Sequence, residues 1–225
     1  MAFWYATRAF GVVALVLLTA TVVLGIAATA RFAVPGLPRV VTAGLHRNLS
    51  LLVLALVALH VLTTVADGYA PIGFASAVVP FDSAYRPLWL GLGAVAFDML
   101  LAVAVTSLLR DRLSYRTWRG VHWLAYACWP VALWHSLGTG TDSKVPWLLT
   151  LDALCAAGVV GAVWWRLSLM APGPGRTAAL VASAVLPLAT GILVYIGPLQ
   201  PHWAERAGTP SVILHSRVLR SGGRR

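Results

Sequence analysis

Four histidines in two pairs are the residues best placed to do chemistry in this chain. His46 and His60 lie 14 positions apart, His122 and His135 lie 13 apart, and each pair sits inside a long apolar run. An imidazole among aliphatic side chains needs a partner for its ring nitrogens, because an unsatisfied polar group in an apolar medium is costly. The same nitrogens are good ligands for a transition metal. At ~1.5 Å per helical residue each pair spans roughly 20 Å, most of the hydrocarbon core of a bilayer. Two such helices side by side would place two metal centres, one near each face of a membrane.

The elements that must position them follow from composition. Of 225 residues, 59% are hydrophobic and only 11% charged, with a mean hydropathy of +0.80. That balance predicts a polytopic membrane protein rather than a soluble domain. Apolar runs long enough to span a bilayer cover about residues 10–30, 40–66, 86–110, 118–137, 145–165 and 177–196. The expectation is an all-α integral membrane protein, a bundle of six transmembrane helices over residues 1–200, followed by a basic polar tail over 201–225. The first run imitates a signal peptide, with Ala28-Thr29-Ala30 at its end, but it exceeds the usual ~7–15 apolar residues and is read as a retained helix.

The net charge of +10 is explained by arginines at membrane edges, not by a nucleic-acid partner, because no basic stripe with interleaved aromatics stands outside the spans. Arg31, Arg39, Arg110, Arg112, Arg116, Arg119, Arg166 and Arg176 fall in the odd-numbered connections. Arg8, Arg86 and Lys144 fall on the other side with Asp67, Asp82 and Asp142. The positive side faces the cytoplasm, so this is a multi-pass protein of the cell membrane with both termini extracytoplasmic. The basic tail argues the other way but is one segment against three connections. The long connection from Asp67 to Arg86 has an apolar middle, Phe74 to Phe81, expected to lie at the membrane interface. Cys128 and Cys155 read as small buried residues, since no CxxC or zinc spacing occurs. Gly138-Thr139-Gly140-Thr141 reads as a turn, and no GxGxxG is present.

With this topology the second and fourth spans run in the same direction. His46 then matches His122 in depth near the cytoplasmic face, and His60 matches His135 near the outer face. Two trans imidazoles saturate a haem iron, leaving it for electron transfer rather than substrate binding. The competing reading is polar side chains hydrogen-bonded in a bundle or forming a proton relay. A zinc site is disfavoured, because pairs roughly 20 Å apart cannot share one tetrahedral ion. Fourteen residues return to within about 40° of the same helix face, but thirteen miss by about 140°. Pro130, between His122 and His135, is expected to make the fourth helix irregular near Trp129-Pro130.

The pairs His46-x13-His60 and His122-x12-His135, with Arg119-Gly120-Val121-His122 opening the fourth span, resemble the ferric reductase-like transmembrane domain family. That family includes the membrane parts of NADPH oxidases and ferric reductases and the haem subunit serving bacterial methionine sulfoxide reductase. The resemblance covers about the first five spans. It implies two b-type haems, an inner one on His46 and His122 and an outer one on His60 and His135. It also implies a membrane haem component of an oxidoreductase, carrying electrons from a cytoplasmic-side donor to an extracytoplasmic acceptor. Because no flavin or NADPH domain is seen, the donor is expected to be a separate flavoprotein reductase or a quinol. The acceptor would be a flavoprotein, another redox protein, ferric iron or oxygen. The rival functions are a quinone-linked cytochrome b and, in another class, a haem-free transporter or scaffold.

Arg47 and Arg119 are candidates to meet inner-haem propionates, with Arg116 less favoured; Arg86 and Lys144 are the outer equivalents. Tyr126, Trp129 and Trp134 could fill the gap between the haems or simply pack. Asp98, deep in its span, is the stronger functional candidate of the two intramembrane acids, and Asp152 is read as solvated at an interface. His202 and His215 are expected in solvent.

Overall fold

The computed structural model describes residues 2–29, 39–68, 70, 72–140 and 144–213. Arg31, Pro71, Thr141, Asp142, His215 and the arginines from Arg217 onward lie outside the described residues, as does the side chain of Arg39. The described residues form helices α1 (Ala2–Thr29), α2 (Arg39–Ala66), α3 (Ala75–Val78), α4 (Pro87–Leu108), α5 (Tyr115–His122), α6 (Leu124–Thr139), α7 (Pro146–Ser168), α8 (Pro174–Ile196) and α9 (Trp203–Arg206). Three of the long helices, α4, α7 and α8, begin on proline, whose missing N–H would have no intrahelical partner there anyway.

Five helices, α1, α2, α4, α7 and α8, are long and apolar enough to cross a membrane. The fourth expected span is not one helix. It is divided into α5 and α6 by a turn at Trp123, immediately after His122. The expected irregularity at Trp129-Pro130 is therefore corrected: the helix is broken seven residues earlier, and α6 continues through Pro130. At the break the Tyr126 amide donates to the Trp123 carbonyl three residues back, a tightened turn. Tightening has the right sign. Four turns over 13 residues need about 3.25 residues per turn, between the ~3.6 of an α-helix and the ~3.0 of a 3₁₀ turn. The ~2.0 Å rise of 3₁₀ residues also lets the shorter segment cover the length of the longer one.

α1 packs along α2, and α4 along α6; α1 also contacts α6 and α7 and so stands at the centre. Its stripe Leu15, Leu18, Val22 and Ile26 is buried at helical spacing. These side chains meet Val53, Ala96, Cys128, Trp129 and Leu133 in one apolar core. α2 buries little beyond Val53, and Leu51, Leu52, Leu59 and Leu62 are exposed, as suits a helix facing hydrocarbon. α3 packs on α4 and leaves Phe74, Val78, Val79 and Phe81 exposed.

Candidate functional site

The structure brings His46 against His122 and His60 against His135. The ring centres are 6.3 Å and 6.4 Å apart, with the rings crossed at 62° and 89°. A metal ion midway between two imidazoles, with bonds of ~2.0 Å and about 1.1 Å from nitrogen to ring centre, needs ring centres roughly 6 Å apart. Direct hydrogen bonding between the rings would bring them closer.

Three of the four rings are held from behind. His46 donates Nδ1–H to the Thr21 carbonyl at 3.0 Å, His60 to the Thr7 carbonyl at 2.7 Å, and His135 to the Trp89 carbonyl at 2.8 Å. Using Nδ1 as donor fixes the tautomer that leaves the Nε2 lone pair free to bind a metal. A glycine lies four residues after each of these carbonyls: Gly25, Gly11 and Gly93. A Cβ at Gly11 would stand 3.0 Å from the His60 ring and one at Gly25 3.3 Å from the His46 ring, while one at Gly93 would collide with the His135 ring. In an α-helix the residue at i+4 covers the approach to the carbonyl of residue i, so glycine opens it to the imidazole. Gly11 and Gly25 repeat the 14-residue spacing of His60 and His46 on the antiparallel neighbour. Comparing the two spacings would have exposed this signal in the sequence.

His122 is built differently. Its Nδ1 is buried without a hydrogen-bond partner among the described residues. Its ring is stacked on Trp118 at 5.0 Å and 25°, and the Arg110 guanidinium lies over that indole, 4.6 Å from the ring centre. The α5 helix makes this stack possible by carrying Trp118 and His122 at i and i+4, on one face. Ser114 caps its start by accepting the Thr117 amide.

A cavity of about 330 Å³ opens between His60 and His135, within the range of small-molecule and cofactor sites. Its walls are mostly apolar, with Arg8, Asp67 and Asp152 among the polar side chains. Arg8 follows Thr7, the residue that holds His60, yet in the sequence it looked only like a membrane-edge charge. Asp152 lines this cavity and Asp98 does not. Arg47, Arg116 and Arg119 are exposed. Arg86 is buried and does not line the cavity: Nη1 donates to the Gly138 carbonyl at 2.8 Å and Nε to Thr209 Oγ1 at 2.9 Å. Lys144 donates to the Gln200 carbonyl at 3.0 Å. His202 is exposed, 3.5 Å from Glu205.

Between the two histidine pairs the side chains are apolar and buried. Val53 lies midway between His46 and His60, and Trp129 lies between His122 and His135; they are 1% and 3% exposed. The Trp129 indole donates to Thr19 Oγ1 at 2.8 Å. Trp134 turns away to donate to Thr190 on α8, and Tyr126 is exposed beside Trp123.

These residues fit an iron porphyrin better than a bare ion. Each histidine pair offers two imidazoles with ring centres 6.3 or 6.4 Å apart, and among the described residues no group of three or more His, Cys, Asp or Glu gathers to complete a tetrahedral site. A porphyrin would supply four nitrogens of its own and would need from the protein only two imidazoles such as these.

Comparison with curated proteins and with solved structures returns no match. The family described as "Ferric reductase like transmembrane component" matches residues 10–133, which include His46, His60 and His122 and end just short of His135. That match covers more than half of this multi-pass, all-helical chain, and the chain belongs to the ferric reductase-like transmembrane family.

Proposed function

We propose that this protein carries single electrons across the membrane through two bis-histidine b-type haems. His46 and His122 hold the inner haem, and His60 and His135 the outer one. The observation that carries this reading is the pair of near-equal ring separations, 6.3 Å and 6.4 Å, each suited to one six-coordinate iron. A haem so ligated supplies a one-electron iron couple. The chain's own part is to fix the rings, exclude water from the core around Val53 and Trp129, and hold the two sites at separate depths. α5 and α6 in succession make the sixth crossing. The end bearing Arg110, Arg112, Arg116 and Arg119 faces the cytoplasm, where a flavoprotein reductase or a quinol donates. The end bearing His60 and His135 delivers to an extracytoplasmic acceptor. Arg8 takes over from Arg86 and Lys144 as the outer cation that would meet a propionate, in a cavity it lines together with Asp67 and Asp152.

The test is haem stoichiometry in the purified protein. The expected result is two b-type haems per chain with low-spin spectra, falling to one in His60→Ala, His135→Ala, His46→Ala or His122→Ala. A colourless protein after haem-replete expression would falsify the reading.

A further inference from the structure

Resting on the dihaem reading, we propose that His122 is the weakest of the four ligands. Its weakness makes the inner haem the higher in potential and the more readily lost. One pattern occurs three times in the bundle and then stops. A helix carbonyl accepts Nδ1–H, and a glycine four residues on lets the ring approach: Thr7 and Gly11 for His60, Thr21 and Gly25 for His46, Trp89 and Gly93 for His135. The fourth copy is due 14 positions further along α4, at Val103 and Ser107. There the glycine is replaced by serine, and no imidazole reaches the Val103 carbonyl, which lies 3.2 Å from a Thr106 hydroxyl bonded more closely, at 2.7 Å, to the Ala102 carbonyl. His122 Nδ1 is left buried with no acceptor among the described residues.

An imidazole that donates its second N–H to a carbonyl is a stronger base toward the metal, and its orientation is fixed. Stronger donation stabilises ferric iron and lowers the potential; second-shell hydrogen bonding is one of the levers by which a protein tunes a haem. The outer site has two such bonds, at 2.7 Å and 2.8 Å, while the inner site has one, at 3.0 Å. Charge acts in the same direction. Arg110 lies over Trp118, which is stacked on His122, and a nearby cation disfavours the more positive ferric state. The outer cavity is lined by one cation, Arg8, and two carboxyls, Asp67 and Asp152. Loss of an outer-shell partner typically weakens metal binding ~10–100-fold, so the inner haem should also leave first.

The experiment is a redox titration of single-haem forms of the full chain. His60→Ala reports the inner haem and His46→Ala the outer one, with the higher midpoint expected in His60→Ala. Wild-type protein challenged with excess apomyoglobin should lose one haem faster, and the spectrum that remains should match His46→Ala. This second measurement stands if either variant fails to fold. Trp118→Gln places an acceptor one turn from His122 and should lower the inner midpoint while leaving the outer one unmoved. Equal or reversed midpoints, or first loss of the outer haem, overturn the inference while leaving two bis-histidine haems in place. Absence of haem altogether removes the reading beneath it.

Discussion

The helix pair α1–α2 and the pair α4–α6 solve one problem with different completeness. In each, one helix presents histidines and its antiparallel neighbour steadies them with carbonyls exposed beside glycines. α1 does this for both histidines of α2. α4 does it for His135 only, because His122 belongs to α5, beyond the turn at Trp123. The first pair is a template in which two unbroken helices share a 14-residue register. The second matches that register only at one end, and at the other an aromatic stack replaces the backbone contact. Close helix packing and a break in a helix are therefore alternative ways to reconcile spacings of 14 and 13.

The largest way to break this comparison is to fill a notch. Gly93→Leu drives a side chain into the His135 ring, and haem per chain is expected to fall from two toward one, measured by pyridine haemochrome. Gly120→Leu, on α5 where a Cβ meets nothing within 4 Å, should retain both. If both variants lost haem equally, glycine would matter for helix folding and not for ring access. A smaller effect is expected within α1. Gly11→Ala meets its ring at 3.0 Å and Gly25→Ala at 3.3 Å, so the first should disturb the outer haem more than the second disturbs the inner. Overpacking of this kind costs about 1–3 kcal/mol, and thermal loss of haem absorbance would rank the two. Arg86→Met leaves the Gly138 carbonyl and Thr209 without their donor, at about 1–3 kcal/mol. Faster proteolysis between α8 and the end of α9 would report it, and unchanged cleavage would count against the clasp. Least of all, Trp129→Phe removes one hydrogen bond to Thr19 and keeps the aromatic bulk, about 1 kcal/mol in denaturant titrations.

How much of this could be read in advance depended on the kind of information needed. Depth is residue count times rise, so the meeting of His46 with His122 and of His60 with His135 followed from spacing and helix direction. Span limits followed from runs of apolar residues: most observed limits lie within a few positions of them, but α1 begins eight residues earlier, at Ala2, and the fourth span is divided. Azimuth was harder. Pro130 drew attention because proline removes an N–H, yet α6 runs on through it and the break falls at Trp123, which has no breaker chemistry of its own. Depth in a span also leaves open which acid reaches a cavity, because that depends on which way a helix face turns: Asp152 lines it and Asp98 does not. Arg86 looked like a membrane-edge cation because its partners, Gly138 and Thr209, are far away in sequence. The glycine notches were present in plain spacing, but only a comparison between neighbouring helices makes their meaning visible.

The Arg86 clasp has a consequence in time. Its side chain donates to Thr209, 123 positions further along the chain, while its backbone amide donates to the Gly208 carbonyl. Trp89, whose carbonyl holds His135, rests its indole near Trp203 in the same late segment, with ring centres 5.3 Å apart. During synthesis from the N-terminus all four histidines are therefore in place before this part of the wall can close.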